Sequence, residues 1–343
     1  MNSVKMAVIG VGVMGETHIR AVQRDARAEL VAICDVSRAR LEEMQRRYGV
    51  PNAYTDAREM FRAHKLDGVV IATSDQYHVE PVRVAAENGA HIMLEKPIAT
   101  TIEDAETIIE TASKAGVKLM LGFTLRFTPA YVAIHDRVVR GELGELTMAY
   151  AKRAVSRLEA RRLGGRLTVN SYLSIHDVDT ILWNFGTEVE SIYSTRGDFI
   201  LKDELNTPDY YWNVLKFRSG ATAVAHSLWS LPTGLPYYAQ FEFTVHGTRA
   251  SAHLDVYGQW LSIADDVHTE SPDFLYGMGE PTAGAYRLED EHFVECIIKD
   301  QQPIVGGIDG LNSLKVILAA EESIRTGLPV PLQLQRPTSA LSR

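Results

Sequence analysis

Cysteine is scarce in this sequence: only Cys34 and Cys296 occur among 343 residues. Two thiols cannot make a disulfide framework. With no CxxC pair and no Cys/His cluster at zinc spacing, no metal is expected either. Each cysteine stands in an apolar stretch and reads as a small buried hydrophobe, and the compartment implied is the reducing cytosol. Long apolar runs are also missing: none approaches the roughly 20 residues that cross a bilayer. Basic residues are in deficit, 35 Lys plus Arg against 44 Asp plus Glu, for a net charge of −9. That balance excludes a general nucleic-acid binder, which needs a basic patch to displace counterions. Internal repeats, heptads and low-complexity tracts are absent. A signal peptide is not expected, because Val4–Ile9 leads at once into a glycine-rich turn and so belongs to the fold.

What is present is an ordinary globular composition, 45% hydrophobic and 23% charged. The length suits about two domains at roughly 150 residues each. In the first third, short apolar runs alternate with amphipathic stretches. Strands are expected at residues 5–9, 30–34, 68–72, 91–94 and 118–121, and helices at 15–23, 38–48, 57–63, 79–88 and 102–115. Alternation of this kind implies parallel strands joined by right-handed crossovers, a doubly wound α/β sheet covered on both faces. After Gly122 the rhythm changes. Helices are expected at 129–139 and 172–185. Segments rich in aromatic and β-branched residues follow at 190–193, 210–217, 222–229, 241–246 and 260–263, which read as an antiparallel sheet with one open face. Helical patterns at 289–299 and 311–325 close the chain.

Gly10-Val11-Gly12-Val13-Met14-Gly15 is a GxGxxG turn between a predicted strand and a predicted helix, with Asp35 20 residues beyond Gly15. In this setting Gly10 permits a tight turn, Gly12 lets a pyrophosphate approach the backbone, and Gly15 lets helix pack on strand. The helix N-terminus, from Val13 and Met14 onward, offers free N–H groups to phosphate. Asp35 can accept hydrogen bonds from ribose hydroxyls and would repel a 2′-phosphate, which favours NAD over NADP. Arg38 works the other way, since a guanidinium there can pair with that phosphate.

Glu95-Lys96-Pro97 at a strand end, after a GxGxxG turn, resembles the Gfo/Idh/MocA oxidoreductases. Other segments are similar to the same family: Ala72-Thr73-Ser74 with His78, Gly122-Phe123 with Arg126-Phe127-Thr128-Pro129, His176-Asp177-Val178-Asp179, and residues 289–297 and 308–310 with the final helix. The resemblance implies a Rossmann domain (residues 1–123) and an α/β domain with a large open, mostly antiparallel sheet (124–343). It also implies that the last helices can return to the first domain and that the open sheet serves homodimer or homotetramer formation. It further implies that nicotinamide lies next to Lys96 and His176, with Ala72, Thr73, Ser74, His78, Glu95, Lys96 and Arg126 on the cofactor side.

Oxidising a secondary alcohol sends a hydride to nicotinamide, and the hydroxyl proton needs a base. An ammonium at Lys96 can stabilise alkoxide character, and His176 can take the proton. This division follows the resemblance; from the residues alone either one can be the base. Relatives often carry an Asp four residues before that histidine, where this sequence has Tyr172. A phenol cannot replace a carboxylate at neutral pH, but it can bond a hydroxyl or stack on a sugar face. Asp179 can orient His176 or serve the structure. Substrate-side candidates are Lys96, Arg153, Tyr172, His176 and Tyr286, with Arg157, Trp229, Tyr237 and Tyr238 beside them. For each aromatic alone, packing is the plainer role. Five arginines between residues 153 and 166 suit an anionic substrate or, more simply, a solvated loop. The expected function is an NAD(P)-dependent sugar, cyclitol or polyol dehydrogenase of the cytoplasm. The alternatives are an NAD-retaining glycosidase acting by transient oxidation and a non-catalytic dinucleotide sensor.

Overall fold

A computed structural model describes residues 3–234, 239–255, 260–264, 269–270 and 284–337. The chain divides into two compact units, Met1–Phe127 with Gly277–Leu311 and Arg336–Arg343, and Thr128–Tyr276 with Asn312–Gln335.

The first unit begins β1 (Val4–Ile9), α1 (Val13–Arg24), β2 (Ala28–Cys34), α2 (Arg38–Tyr48), β3 (Asn52–Tyr54), α3 (Ala57–Ala63), β4 (Gly68–Ile71), α4 (Val79–Glu87), β5 (His91–Leu94), α5 (Ile102–Lys114) and β6 (Leu119–Leu121). All six strands pair in parallel, in the order β3-β2-β1-β4-β5-β6. β4 is buried along its whole length, as a strand covered on both faces must be. Helix starts are signalled locally. Ser37, Asp56 and Thr101 each accept a backbone N–H from the first turn of α2, α3 and α5. α1 lacks such a cap. Its N-cap is Gly12, which has no side chain to bond the first turn, so those N–H groups stay open to a ligand. The strand order reverses between β1 and β4, and their loops carry the glycine turn and residues 72–74. That crevice is where open α/β sheets bind ligands. β3 is the strand the sequence did not announce: three half-buried residues carry too little pattern.

The second unit contains α6 (Pro129–Val139), β7 (Leu146–Ser156), α7 (Arg157–Leu163), α8 (Ile175–Phe185), β8 (Val189–Gly197), α9 (Ile200–Leu205), β9 (Tyr210–Phe217), β10 (Thr222–Leu231), β11 (Ala239–Gly247), β12 (Ser251–Asp255), β13 (Trp260–Ala264) and β14 (Thr269–Glu270). Its sheet runs β14-β13-β12-β11-β7-β10-β9-β8-β15, the last strand being Val330–Pro331. The sheet is antiparallel except for β7 with β10. Those two strands are parallel because the chain leaves through α7, α8, β8, α9 and β9 before returning, a detour that alternation within a strand cannot reveal. In β9 the residues Tyr211, Asn213, Leu215 and Phe217 are buried, while Tyr210, Trp212, Val214 and Lys216 take the more exposed face. A core of Val155, Val169, Leu173, Tyr211 and Trp229 lies on the buried side.

α10 (Ala285–Ile298) belongs to the first unit and packs on α1. α11 (Gly307–Thr326) begins in the first unit and continues in the second. Among the described residues no helix is long and apolar enough to cross a membrane.

Candidate active site

The glycine turn has the form its spacing requires. Gly10 takes φ +86°, and a Cβ there would stand 2.6 Å from the Thr73 nitrogen, so the turn and the loop after β4 touch backbone to backbone. A Cβ on Gly15 would overlap the Gly10 carbonyl oxygen. At Gly12 a Cβ would meet nothing within 4 Å, and Val13 beside it is 58% exposed. The backbone is therefore close-packed behind the turn and open in front of it, a cradle suited to phosphate oxygens. Thr73 adds a buried hydroxyl with no hydrogen-bond partner at the edge of this cradle, beside half-buried Ala72 and Ser74. Such a group is poised for a ligand.

Asp35 follows β2. One carboxylate oxygen accepts the Val11 N–H at 2.8 Å and the other accepts the Ser37 N–H at 2.9 Å. It thereby ties the glycine turn to the start of α2, and each oxygen keeps acceptor capacity for a ribose hydroxyl. Arg38 is exposed. Arg40, which carries no motif signal, donates to the Val11 carbonyl at 2.8 Å and to Glu16 at 2.6 Å, and so braces the turn from α2. Its position signals little, because an arginine in the first turn of a helix usually faces water.

His78 is buried, with its ring nitrogens 3.1 Å from the Ile98 carbonyl and 3.2 Å from the Thr73 carbonyl. Burial pushes its pKa below the usual value, so a neutral ring braces the loop after β4. Arg126 is also buried; it pairs with Asp309 at 2.9 Å and reaches the Ile304 carbonyl. His78 thus holds the loop after β4, whereas Arg126 holds the segment around Ile304 and Asp309. Lys96 is half-buried after β5, and its N–H donates to its neighbour Glu95. Tyr286 lies in the first turn of α10, within the first unit.

In the second unit His176 occupies the first turn of α8, and three polar contacts hold that segment against three adjacent strands. Asn213 of β9 donates to Asn170 at 2.8 Å. Ser174 donates to Ser227 of β10 at 2.7 Å. Arg153 of β7 pairs with Asp177 at 3.0 Å. Spacings of four and three residues put Asn170, Ser174 and Asp177 on one helical face, and this seam sets the rotation at which His176 is presented. A single π-type turn, Asn170–Ser174, precedes α8. Arg153 is 5% exposed, with the Phe241 ring 4.3 Å from its guanidinium carbon. Its charge is committed to Asp177, which places it behind His176 as a support. Asp179 is buried as well.

Tyr172 donates to Glu159 at 2.6 Å and accepts from Arg162 at 2.9 Å. A carboxylate thus stands beside this phenol, supplied from α7 and not from position 172 itself. Of the five arginines, Arg157, Arg161 and Arg162 lie on α7 where a loop was the simpler expectation, Arg161 pairing with Glu204 and Arg162 with Glu159, while Arg153 belongs to β7 and Arg166 follows the helix. Trp229 is core, its indole donating to the Pro208 carbonyl at 2.7 Å. Tyr237 and Tyr238 lie outside the described residues.

Residues 4–123 match the model of an oxidoreductase family with an NAD-binding Rossmann fold, and residues 136–332 match its C-terminal alpha/beta domain. The chain belongs to the Gfo/Idh/MocA oxidoreductase family. Among Gfo/Idh/MocA proteins, it is 30% identical over 348 aligned residues to scyllo-inositol 2-dehydrogenase (NAD(+)) of Bacillus subtilis, with 98% of each chain covered. It is 28% identical to myo-inositol 2-dehydrogenase of Thermotoga maritima, covering 96% of this chain and 98% of the relative. A solved structure described as a probable dehydrogenase from Thermotoga maritima superposes with TM-score 0.81 at 26% identity, covering 96% and 98% of the two chains. The Rossmann domain and glycine cradle of this Gfo/Idh/MocA chain fit a bound dinucleotide.

Proposed function

We propose that this protein is a dehydrogenase of a cyclitol, sugar or related polyol that uses NAD. The observation that carries this reading is the open cradle at Gly12 with Asp35 fixed beside it, in a chain that aligns over 98% of its length with an NAD-dependent cyclitol dehydrogenase. Preference for NAD follows from the Asp35 carboxylate, which disfavours a 2′-phosphate. The exposed Arg38 leaves NADP as the cofactor to compare.

Held by the glycine turn and Asp35, a nicotinamide dinucleotide would supply the hydride acceptor. Lys96 holds the reacting oxygen and stabilises negative charge on it as the proton leaves. His176 takes that proton at its imidazole. Tyr172, tied to Glu159 and Arg162, replaces the carboxylate that relatives often carry and gives a hydroxyl-bonding surface. Self-association is assigned to the open face of the second sheet. There Trp212 and His226 stack at 4.0 Å and the Tyr150 hydroxyl lies 3.3 Å from His226. Burial and nearby Lys152 lower His226 to a pKa of about 4, so its imidazole is uncharged near neutrality.

The test is a panel of inositols, sugars and sugar acids scored by NADH and NADPH absorbance. His176→Ala and Lys96→Met are expected to cut turnover by about 100-fold or more, the scale of positioned acid–base catalysis, while NAD binding stays within a few-fold. Unchanged turnover in either variant removes that residue from the mechanism. Steady aglycone release from an aryl glycoside without net NADH would favour the glycosidase alternative.

A further inference from the structure

The first unit encloses a cluster of ionisable side chains around Glu95, which the family resemblance puts on the cofactor side and which is buried against α1. His18, three residues past Gly15 on α1, is fully buried. Its Nδ1 lies 2.8 Å from an Asp290 oxygen and its Nε2 lies 3.0 Å from Glu95 Oε1. The second Glu95 oxygen accepts the Lys96 backbone N–H at 3.1 Å. Glu289 is buried alongside, with the Thr124 hydroxyl 3.4 Å from one of its oxygens. Asp25 acts on Asp290 from the end of α1.

We propose that His18 is a positioning residue for Lys96: a buried imidazolium that grips Asp290 and Glu95, so that Glu95 meets Lys96 as a carboxylate. This deepens the reading of Lys96 given above and rests on it. The argument is first geometric. Both imidazole nitrogens face carboxyl oxygens at hydrogen-bond distance, the arrangement in which a doubly protonated ring donates to two carboxylates. Burial raises Asp290, and His18 is the group that pulls it back toward the ionised form. The electrostatics agree. Burial opposes charge on His18, but Asp290 and Glu95 outweigh it and hold its pKa well above the usual value. Burial would raise Glu95, yet His18 and then Lys96 bring it below the ordinary carboxylate range. Glu289 goes the other way: burial, then the charge of Glu95, hold it well up, so it is a neutral acid. One cation faced by several buried carboxyls thus leaves Glu95 ionised where it adjoins Lys96.

Two consequences follow for Lys96. Its backbone is anchored at the residue that carries the ammonium, through a chain running from α1 to the end of β5. Its charged form is also favoured by the Glu95 carboxylate, so loss of that charge moves its titration to lower pH.

The experiment uses the full chain with NAD, labelled at the lysine ε-carbon and the histidine ring nitrogens, and read by NMR. Lys96→Met and His18→Gln supply the assignments. At pH 7.5 His18 is expected to show both ring nitrogens protonated; the signature of a neutral tautomer overturns the proposal. In Glu95→Gln the Lys96 titration is expected at lower pH than in the wild type. In Glu289→Gln, a matched replacement of a group that is already neutral, it is expected to stay in place. An unmoved Lys96 titration in Glu95→Gln, or an equal shift in Glu289→Gln, overturns the proposal. Should His18→Gln not fold, the wild-type imidazole signal, found as the ring that titrates last, still decides. These readouts need no turnover. If Lys96→Met retains activity the catalytic reading fails, and that result is separate from an unmoved titration.

Discussion

Replacing Arg153 by Met tests whether this arginine supports His176 or contacts substrate. The guanidinium meets the Asp177 carboxylate through contacts of 3.0, 3.1 and 3.3 Å, and both side chains are shielded from water. Removing one partner of a buried pair strands the other, at about 3–5 kcal/mol. At about 2–4 °C per kcal/mol for a unit of this size, the melting temperature of the second unit should fall by about 6–20 °C. Asp177 has a partial escape, because burial already raises its pKa despite Arg153 and it can take up a proton. In Arg153→Met that folded pKa rises further, above the unfolded value of about 3.9. A carboxyl with a raised folded pKa loses stability as pH increases. The deficit should therefore be larger at pH 8 than at pH 5. Adding Asp177→Asn removes the stranded charge and should recover most of the loss. Scanning calorimetry at both pH values measures all of this. A single variant that melts within about 2 °C of wild type at pH 8 refutes the pairing argument. A raised KM with unchanged melting would make Arg153 a substrate contact.

Other outcomes follow from the same structure. Gly12→Val should melt like the wild type yet bind NAD at least 10-fold more weakly by calorimetry, because its side chain enters open space meant for phosphate. Gly15→Ala, whose Cβ would overlap the Gly10 carbonyl, should instead lower the melting temperature. Asp35→Ser should shift the ratio of NADP to NAD turnover toward NADP, and an unchanged ratio would detach Asp35 from cofactor choice. His18 has a folded pKa above its unfolded value, so its stabilisation is full below about pH 6.5 and fades as pH rises through the folded value. Melting curves of wild type and His18→Gln should accordingly converge toward alkaline pH.

Much of the molecule can be read in one dimension. Local rules place helix starts at Ser37, Asp56 and Thr101, and the GxGxxG spacing names the cradle, because caps and tight turns depend on residues only a few positions apart. Continuous apolar strands announce a covered sheet and alternating ones an open face, since side-chain direction repeats every two residues. What pairs with what is a different matter. Nothing near His18 in the chain says that its partners are Glu95 and Asp290, which lie 77 and 272 residues away. Arg153 reads as a substrate arginine until Asp177 is found against it, and Tyr172 reads as a missing carboxylate until Glu159 is found bonded to it. Burial decides such cases. A charged side chain in water needs no partner, whereas one taken from water must find one, and only the folded chain brings that partner within reach.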